Sequence, residues 1–235
     1  MNLIEPVNRT KLYGLDKYIL ELIDLYNRNQ LPNKILLSGQ KGLGKSTLAF
    51  HLINYVLSKN EEFTYDIHDF KINVENRSFK TIINKSNLNF HLIDISLEKK
   101  NININQIREL ISNLNKSSFN QNPRFVLIDN IEFLNINSIN ALLKILEEPS
   151  SNVHFILVHN NKKILPTLIS RCLNFKISLS NKESLDISDK LLNGELYRII
   201  NKDLVNYYSS PGNIYRLAKF GQLNKYNLDK MSLKE

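Results

Sequence analysis

A glycine-rich stretch that ends in lysine and serine restricts the fold of this chain more than any other part of the sequence. Residues 39–46 read GQKGLGKS and fit the pattern G-x-x-x-x-G-K-[ST]. The preceding run KILLS at 34–38 is typical of a buried strand, and 47–57 is typical of a largely buried helix. This strand, loop and helix order lets backbone N–H groups and a helix N-terminus surround a phosphate. A plain glycine turn before a helix is the alternative, and both flanks argue against it.

The residue types in this loop each have a role in holding a nucleoside triphosphate. Glycines let the backbone curl so that successive N–H groups point at the phosphates. The lysine reaches the β- and γ-phosphates, and the serine hydroxyl reaches Mg²⁺. We therefore predict that ATP and Mg²⁺ bind at this loop. The predicted binding residues are Gly39, Gly42, Gly44, Lys45, Ser46 and Thr47.

A carboxylate at the end of a second buried strand is the next strong signal. Residues 124–128 read RFVLI and are followed by Asp129. Ligands of open parallel sheets bind at the C-terminal ends of the strands. Next to a phosphate-binding strand, such a carboxylate supports Mg²⁺. We therefore predict that Asp129 and Ser46 serve the metal bound with the nucleotide, and an Asp that only caps its strand is the alternative.

Three further apolar runs predict the rest of the sheet. Residues 90–94, 153–158 and 174–177 each read as a strand. The polar residues 159–161 follow the second of these runs, where a side chain can face the γ-phosphate. Residues 13–15 (YGL) precede the first helix and are the candidate to border the nucleotide base.

The pattern of the sequence changes near residue 180. Before it, strands alternate with helices such as 137–148, which we expect Pro149 to end. Beyond it, helices with polar connections are predicted at 181–192, 194–207 and 212–221. We therefore predict a nucleotide-binding α/β domain at 1–179 and a small helical domain at 180–235.

Charge and cysteine content bound the possible partners and the compartment. The 235 residues carry a formal net charge of +8, which suits a nucleic-acid partner. The codon bias of an AT-rich genome explains the charge equally well, because Asn, Lys and Ile are abundant and no basic helix face stands out. The single Cys172 excludes an internal disulfide and a multi-cysteine zinc site, and it fits a reducing cytosol. We therefore expect a cytoplasmic location, no zinc and, without an apolar run of about 18 residues, no membrane partner.

Five segments in order carry a resemblance to a known family. They are LLSGQKGLGK at 36–45, QIREL at 106–110, VLIDN at 126–130, NALLKILEEP at 140–149 and LPTLISRC at 165–172. Together they resemble the AAA+ clamp-loader subunits of bacterial DNA polymerase III, and among these the delta-prime type, over about residues 5–220. The last two segments are specific to clamp loaders, and a generic P-loop protein would not carry both.

The resemblance implies an architecture and a function. The architecture is a parallel five-stranded sheet with flanking helices, followed by a three-helix lid. The function is that of a complex that uses ATP to open a ring-shaped sliding clamp and place it on primed DNA. The implied partners are clamp-loader subunits of the gamma/tau and delta types in a hetero-oligomer, in which the delta-prime type acts largely as a rigid stator. The resemblance also implies that Arg171, in the segment SRC, reaches the ATP bound to a neighbouring subunit. An arginine that pairs with a nearby carboxylate such as Glu147 or Glu148 is the alternative.

The sequence departs from the family at four places. Asn130 stands where active AAA+ motors have a Glu that activates the attacking water, and the nearest later carboxylate is Glu132. Loss of a general base lowers the rate by about 10²–10⁴, so weak or absent hydrolysis is expected. The zinc-binding cysteines of the motor subunits are missing. Asn213 stands at the position of the lid arginine that senses ATP, with Arg216 as the alternative. Finally, the sequence stops before the family's helical collar, so either the collar is absent or the sequence is a fragment.

Three functions remain open from the sequence. The first is a clamp-loader stator, and the second is an ATP-hydrolysing motor like the gamma subunit. Asn130 and the missing cysteines argue against the motor. The third is an unrelated P-loop enzyme, such as a small-molecule kinase, which would need an acceptor site that the sequence does not suggest and which leaves the segment SRC without a role.

Overall fold

The computed structural model describes residues 5–95, 101–115, 122–148, 152–161 and 164–232. In these ranges the chain forms one parallel sheet with helices on both faces, followed by a helical region. The five strands are β1 (Lys34–Ser38), β2 (Phe90–Ile93), β3 (Arg124–Ile128), β4 (Val153–His159) and β5 (Leu173–Lys176). The predicted parallel five-stranded α/β fold is therefore confirmed.

In the described ranges, helices and strands alternate up to β5, and only helices follow β5. The helices are α1 (Asp16–Asn27), α2 (Lys45–Leu57), α3 (Arg77–Ile83), α4 (Ile104–Leu114), α5 (Ile136–Glu147), α6 (Pro166–Ile169), α7 (Asn181–Leu191), α8 (Leu196–Ile199), α9 (Lys202–Tyr208) and α10 (Pro211–Asn224). None of the helices in the described part of the chain combines the length and apolar character that a membrane crossing requires.

The strand order places three strand ends beside one another. The order is β2-β3-β4-β1-β5, and each neighbouring pair is parallel. The C-terminal ends of β1, β3 and β4 therefore meet at one edge of the sheet. At this edge β1 leads into the glycine loop, β3 leads to Asp129, and β4 leads to Asn160.

Alternate residues of each strand pack on opposite faces of the sheet. Ile35 and Leu37 belong to one apolar core, which they share with α1 and α2. Leu36 belongs to a second core on the other face, formed with α4 and α5. Burial on both faces explains why the strands read as nearly continuous apolar runs. Each fully buried Leu or Ile contributes about 1.5–3 kcal/mol, so both cores hold the edge that carries the glycine loop.

Asparagine side chains determine where two of the helices begin. The Asn103 side chain accepts from the Gln106 N–H at 3.2 Å, and the Gln106 side chain accepts from the Asn103 N–H at 3.0 Å. This reciprocal pair is a capping box at the start of α4. Asn135 caps α5 through one such bond of 2.8 Å. Helix α5 ends at Glu147, and Pro149, which we expected to end it, lies outside the described residues.

The helical region after β5, residues 180–232, is called the lid here, and it contains four helices where three were expected. The helix expected at 194–207 is divided into α8 and α9. Ile200 between them has an extended backbone (φ −134°, ψ 135°), and the Asn201 side chain caps α9 by accepting from the Asp203 N–H at 3.0 Å. Ile200 is fully buried, so the apolar spacing continues across the break and hides it in the sequence.

Candidate nucleotide-binding site

The glycine loop joins β1 to α2 and touches the lid. Gly42 (φ 90°) and Gly44 (φ 89°) have left-handed backbone conformations, which favour glycine. The Gly42 carbonyl accepts a hydrogen bond of 2.9 Å from the N–H of Gly212 in the lid. A Cβ atom on Gly42 would collide with the Ser210 side chain. Glycine is therefore required here both for the curl of the loop and for the close approach of the lid.

The lysine of the loop is buried, with 3% of its surface exposed. Its Nζ donates to the carbonyl oxygens of Gly39 at 2.9 Å and Gln40 at 2.7 Å. Burial lowers the pKa of Lys45 to about 8, and the carboxylates of Asp129 and Glu132 oppose that shift. A hydrogen bond from an ammonium group to an anionic oxygen is stronger than one to a neutral carbonyl, because both partners are then charged. A phosphate that replaced the two carbonyls would therefore be a better partner for this ammonium group.

Ser46 and Asp129 meet at the start of α2. The Ser46 hydroxyl donates to Asp129 Oδ2 at 2.6 Å. Burial raises the pKa of Asp129 to about 6, the hydrogen bond from Ser46 opposes the shift, and the charge of Asp94 adds to it. A hydroxyl and a carboxylate oxygen at this distance are ligands that Mg²⁺ accepts together with phosphate oxygens and waters. In the parts of the chain that the structure describes, no three His, Cys, Asp or Glu side chains form a metal site of their own.

A network of amides and carboxylates continues from Asp129. Asn130, in a left-handed conformation (φ 57°, ψ 49°), donates from Nδ2 to Asp94 Oδ1 at 2.8 Å. Asn160 donates from Nδ2 to Asn130 Oδ1 at 2.9 Å and to Glu132 Oε1 at 3.0 Å. The network therefore connects the ends of β2, β3 and β4. It contains two carboxylates: Asp94 accepts directly from Asn130, and Glu132 is linked to Asn130 through Asn160.

A cleft of about 520 Å³ runs between the glycine loop and the lid. Tyr13 and Leu15, which belong to the candidate segment for bordering the nucleotide base, line this cleft. Arg216 of the lid also lines the cleft, and it donates to Asn213 Oδ1 at 2.8 Å and to the Gly212 carbonyl at 3.1 Å. Of the two alternatives in the lid, Arg216 is therefore the one that faces the nucleotide cleft.

Arg171 lies apart from this cleft. It follows α6 and precedes β5, and its side chain is 33% exposed. Nη2 forms an ion pair with Glu147 Oε1 at 2.7 Å, and Nη1 donates to the Thr167 carbonyl at 2.9 Å. This pair is the alternative that the sequence left open for Arg171. Because exposed ion pairs contribute only about 0–1 kcal/mol, the guanidinium group is held weakly enough to exchange partners.

The segment that contains the glycine loop and Asp129 matches a known protein family. The sequence profile of the family described as "DNA polymerase III, delta subunit" matches residues 14–181. The match contains the glycine loop, Asp129, Asn160 and Arg171, and it covers most of the chain. The chain belongs to this DNA polymerase III delta subunit family.

Curated DNA polymerase III subunits are similar to this chain over most of its length. DNA polymerase III subunit gamma of Buchnera aphidicola subsp. Schizaphis graminum is 32% identical over 182 residues, which are 77% of this chain and 47% of that protein. DNA polymerase III subunit delta' of the same organism is 30% identical over 173 residues, which are 71% of this chain and 49% of that protein. The chain thus spans about half the length of these relatives, and relatives of both types occur at nearly the same identity.

Solved structures agree on the fold of this family member. A DNA polymerase III gamma subunit-related protein of Thermotoga maritima has a TM-score of 0.53 at 19% identity and covers 91% of this chain and 64% of its own. The RuvB Holliday junction branch migration motor of Thermotoga maritima has a TM-score of 0.53 at 18% identity, with coverage of 95% and 69%. At these identities the likeness shows the P-loop AAA+ fold alone.

The structure of this DNA polymerase III delta family member unites most of the residues predicted from the sequence. The residues of the predicted set that line the cleft are Gly42, Gly44, Lys45, Ser46, Thr47 and Asp129. Gly39 joins them through its bond to the lysine, whereas Arg171 stays outside. Asp94 also lines the cleft, although it was not predicted from the sequence. Its signal was a carboxylate directly after a strand, the same signal that identified Asp129.

Proposed function

We propose that this chain is a clamp-loader subunit of DNA polymerase III, of the delta-prime stator type, that binds ATP with Mg²⁺. The observation that carries the nucleotide part is the bond of 2.6 Å between Ser46 and Asp129, which join the glycine loop to the end of β3. Lys45 then holds the β- and γ-phosphates, and Ser46 and Asp129 serve the Mg²⁺ ion. Bound Mg²⁺ supplies positive charge that neutralises the phosphates. The buried carboxylate of Asp129 fits that role because a cation relieves the unfavourable burial of its charge.

The assembly part of the proposal rests on family membership. Relatives of this chain are named as delta' and gamma subunits of DNA polymerase III. The proposed partners are therefore gamma/tau- and delta-type subunits in a hetero-oligomer, and through it a sliding clamp and primed DNA. The proposed location is the cytoplasm, where such a complex works.

The proposed role of Arg171 is to complete a neighbouring subunit's ATP site. Its guanidinium lies outside the cleft of its own chain and is partly exposed. An arginine placed on a γ-phosphate in trans neutralises charge that develops during phosphoryl transfer, which raises the rate by about 10³–10⁵. When Arg171 leaves Glu147 and binds a phosphate, a weak surface ion pair is replaced with a stronger one.

Titration calorimetry of ATP·Mg²⁺ into the full chain tests the nucleotide part. We expect weak to moderate binding, its loss in Lys45→Ala, and no change in Lys80→Ala. Lys80 is the matched control because it is an exposed lysine paired with Glu75 away from the cleft. Absence of binding heat in the wild type, or equal binding by Lys45→Ala, would contradict the proposal.

A gamma-like motor is the second candidate, and one observation favours it. A gamma subunit is among the relatives, at 32% identity. The two candidates differ in the turnover of the isolated chain, since a stator turns over ATP at less than about 1 s⁻¹ and a motor reaches the rates of working enzymes. Copurification with gamma/tau- and delta-type subunits separates both from an unrelated P-loop enzyme.

A further inference from the structure

The carboxylate that is missing at position 130 is present on the neighbouring strand. Asp94 follows β2 directly, as Asp129 follows β3, and β2 and β3 pair in parallel with Ile93 opposite Ile128. The Asp129 N–H donates to the Ile93 carbonyl at 2.8 Å, so the two strand ends are held level. Asp94 and Asn130 then meet side by side, with Asp94 Oδ1 at 2.8 Å from Asn130 Nδ2.

The side chain of Asp94 is placed to act in the cleft. It lines the cleft together with Lys45, Ser46 and Asp129. Its Oδ1 accepts from Asn130 and from the Ile95 N–H at 2.7 Å, while in the described part of the chain no donor is bound to Oδ2. One oxygen is therefore fixed by the protein, and the other is left for a water molecule.

We infer that Asp94, at the end of β2, is the general base of this cleft and replaces the carboxylate that is missing at position 130 after β3. The inference rests on the proposed binding of ATP·Mg²⁺. Asn130 cannot accept the proton itself, because its side chain is an amide. It orients Asp94 through the hydrogen bond from its Nδ2. The chain is then a slow but working ATPase, and its low rate reflects the missing arginine of a partner more than a missing base.

Glu132 is less suited to this role, although it is closer to position 130 in the sequence. Its Oε1 accepts from Asn160 Nδ2 at 3.0 Å, and its Oε2 accepts from the Asn160 N–H at 3.4 Å. Both oxygens thus have protein donors. Unlike Asp94, Glu132 is not among the residues that line the cleft. It holds Asn160, which in turn holds Asn130.

The inferred step is an ordinary hydrolysis. The water oxygen forms a bond to the γ-phosphorus, and the bond between that phosphorus and the β–γ bridging oxygen breaks. The electron pair of the broken bond stays on ADP. One proton of the water passes to the Asp94 carboxylate, which later releases it to solvent, so the products are ADP, phosphate and a proton.

The test compares five forms of the full chain by phosphate release and by calorimetry. We expect a wild-type rate below about 1 s⁻¹ and above that of Lys45→Ala. Asp94→Asn should lower the rate of phosphate release by a factor of about 10²–10⁴, or to the rate of Lys45→Ala. It should keep the wild-type affinity for ATP·Mg²⁺. The double variant Asp94→Asn/Asn130→Asp should regain the activity, because it returns a carboxylate to the same pair. Asp24→Asn is the matched control and should keep the wild-type rate, because Asp24 is an exposed carboxylate that pairs with Arg28 outside the cleft.

A second readout does not depend on turnover. ADP with aluminium fluoride imitates the transferring phosphate and its attacking water, and transition-state analogues bind more tightly than ground-state ligands. We expect this complex to bind the wild type and the double variant more tightly than ADP alone, and to lose that advantage in Asp94→Asn.

Two results would overturn the inference while leaving the proposed function intact. One is ATP binding with a wild-type rate no higher than that of Lys45→Ala. The other is a full rate and tight analogue binding in Asp94→Asn. A chain that binds no ATP at all overturns the proposed function and this inference together.

Discussion

The hydroxyl oxygen of Ser46 lies 2.6 Å from Oδ2 of Asp129, although 83 positions separate the two residues in the sequence. This bond joins the first turn of α2 to the end of β3 across β4, which lies between β1 and β3 in the sheet. It is maintained because both strand ends are fixed by buried cores on the two faces of the sheet. The pair is the structural basis for the proposal that this chain binds a nucleotide together with a metal ion.

Removal of the Ser46 hydroxyl should weaken the contribution of Mg²⁺ more than the contribution of the phosphates. For Ser46→Ala we expect the affinity for ATP with Mg²⁺ to fall, and the affinity for ATP in EDTA to stay near the wild-type value. Calorimetry with and without Mg²⁺ measures both. Ser170→Ala is the control, since Ser170 is exposed and outside the cleft. Equal losses of affinity in Mg²⁺ and in EDTA would show that Ser46 does not serve the metal.

Substitution of Gly42 should damage the contact between the loop and the lid. A Cβ atom there meets the Ser210 side chain, whereas a Cβ atom on Gly194, which also has a positive φ (81°), meets nothing within 4 Å. Gly194→Ala should therefore lower the free energy of unfolding only by the backbone strain of about 1–2 kcal/mol. We expect a larger loss in Gly42→Ala. Urea unfolding of both variants measures the difference, and equal losses would mean that the lid does not depend on this contact.

The buried His51 should make the fold less stable in mild acid. It is fully buried, its ring nitrogens lie 2.9 Å from the Tyr65 hydroxyl and 3.0 Å from the Arg9 carbonyl, and burial lowers its pKa to about 4. Because the folded pKa lies below the ordinary value of 6.5, protons bind the unfolded chain better. Its stabilising contribution is complete above about pH 6.5 and is lost as the pH falls towards 4. Between pH 7 and pH 5 the loss is about 2 kcal/mol.

Urea unfolding of the wild type and of His51→Gln at the two pH values tests this contribution. Asp129 has a raised pKa and shifts the stability of the wild type in the opposite direction. The informative quantity is therefore the difference between the two proteins, which should shrink at pH 5. A difference that stays the same at pH 7 and pH 5 would contradict a neutral, buried His51.

The sequence predicted local features of the site well and side-chain partnerships poorly. The glycine loop and Asp129 were found because a strand, its end and the following helix are adjacent in sequence, and the sheet then brings such ends together. Asp94 was missed because its strand was read as continuing through residue 94, while β2 ends at Ile93. The choice of Arg216 over Asn213 depends on the direction of side chains from α10, which only the packed lid determines.

Helix boundaries and ion pairs show the same limit. The break at Ile200 was hidden because a buried residue continues the helical spacing, although Asn201 was available as a capping residue. The ion pair between Arg171 and Glu147 joins two segments 24 positions apart, and the sequence could only offer it as one alternative. This ion pair matters because the guanidinium group of Arg171 is also the proposed link to the neighbouring subunit.

The most direct test of the central claim is ATP turnover by a complex reconstituted from this chain, gamma/tau- and delta-type subunits and the sliding clamp. Arg171→Ala should leave the folding and ATP affinity of this chain unchanged, since the residue lies outside its own cleft and its ion pair is exposed. In the complex, the same change should lower clamp-dependent turnover by about 10³ or more at the site that it serves. Arg171→Lys should rescue poorly, because an ammonium group lacks the planar fork of a guanidinium. Equal turnover by complexes with wild-type chain and with Arg171→Ala would contradict the account.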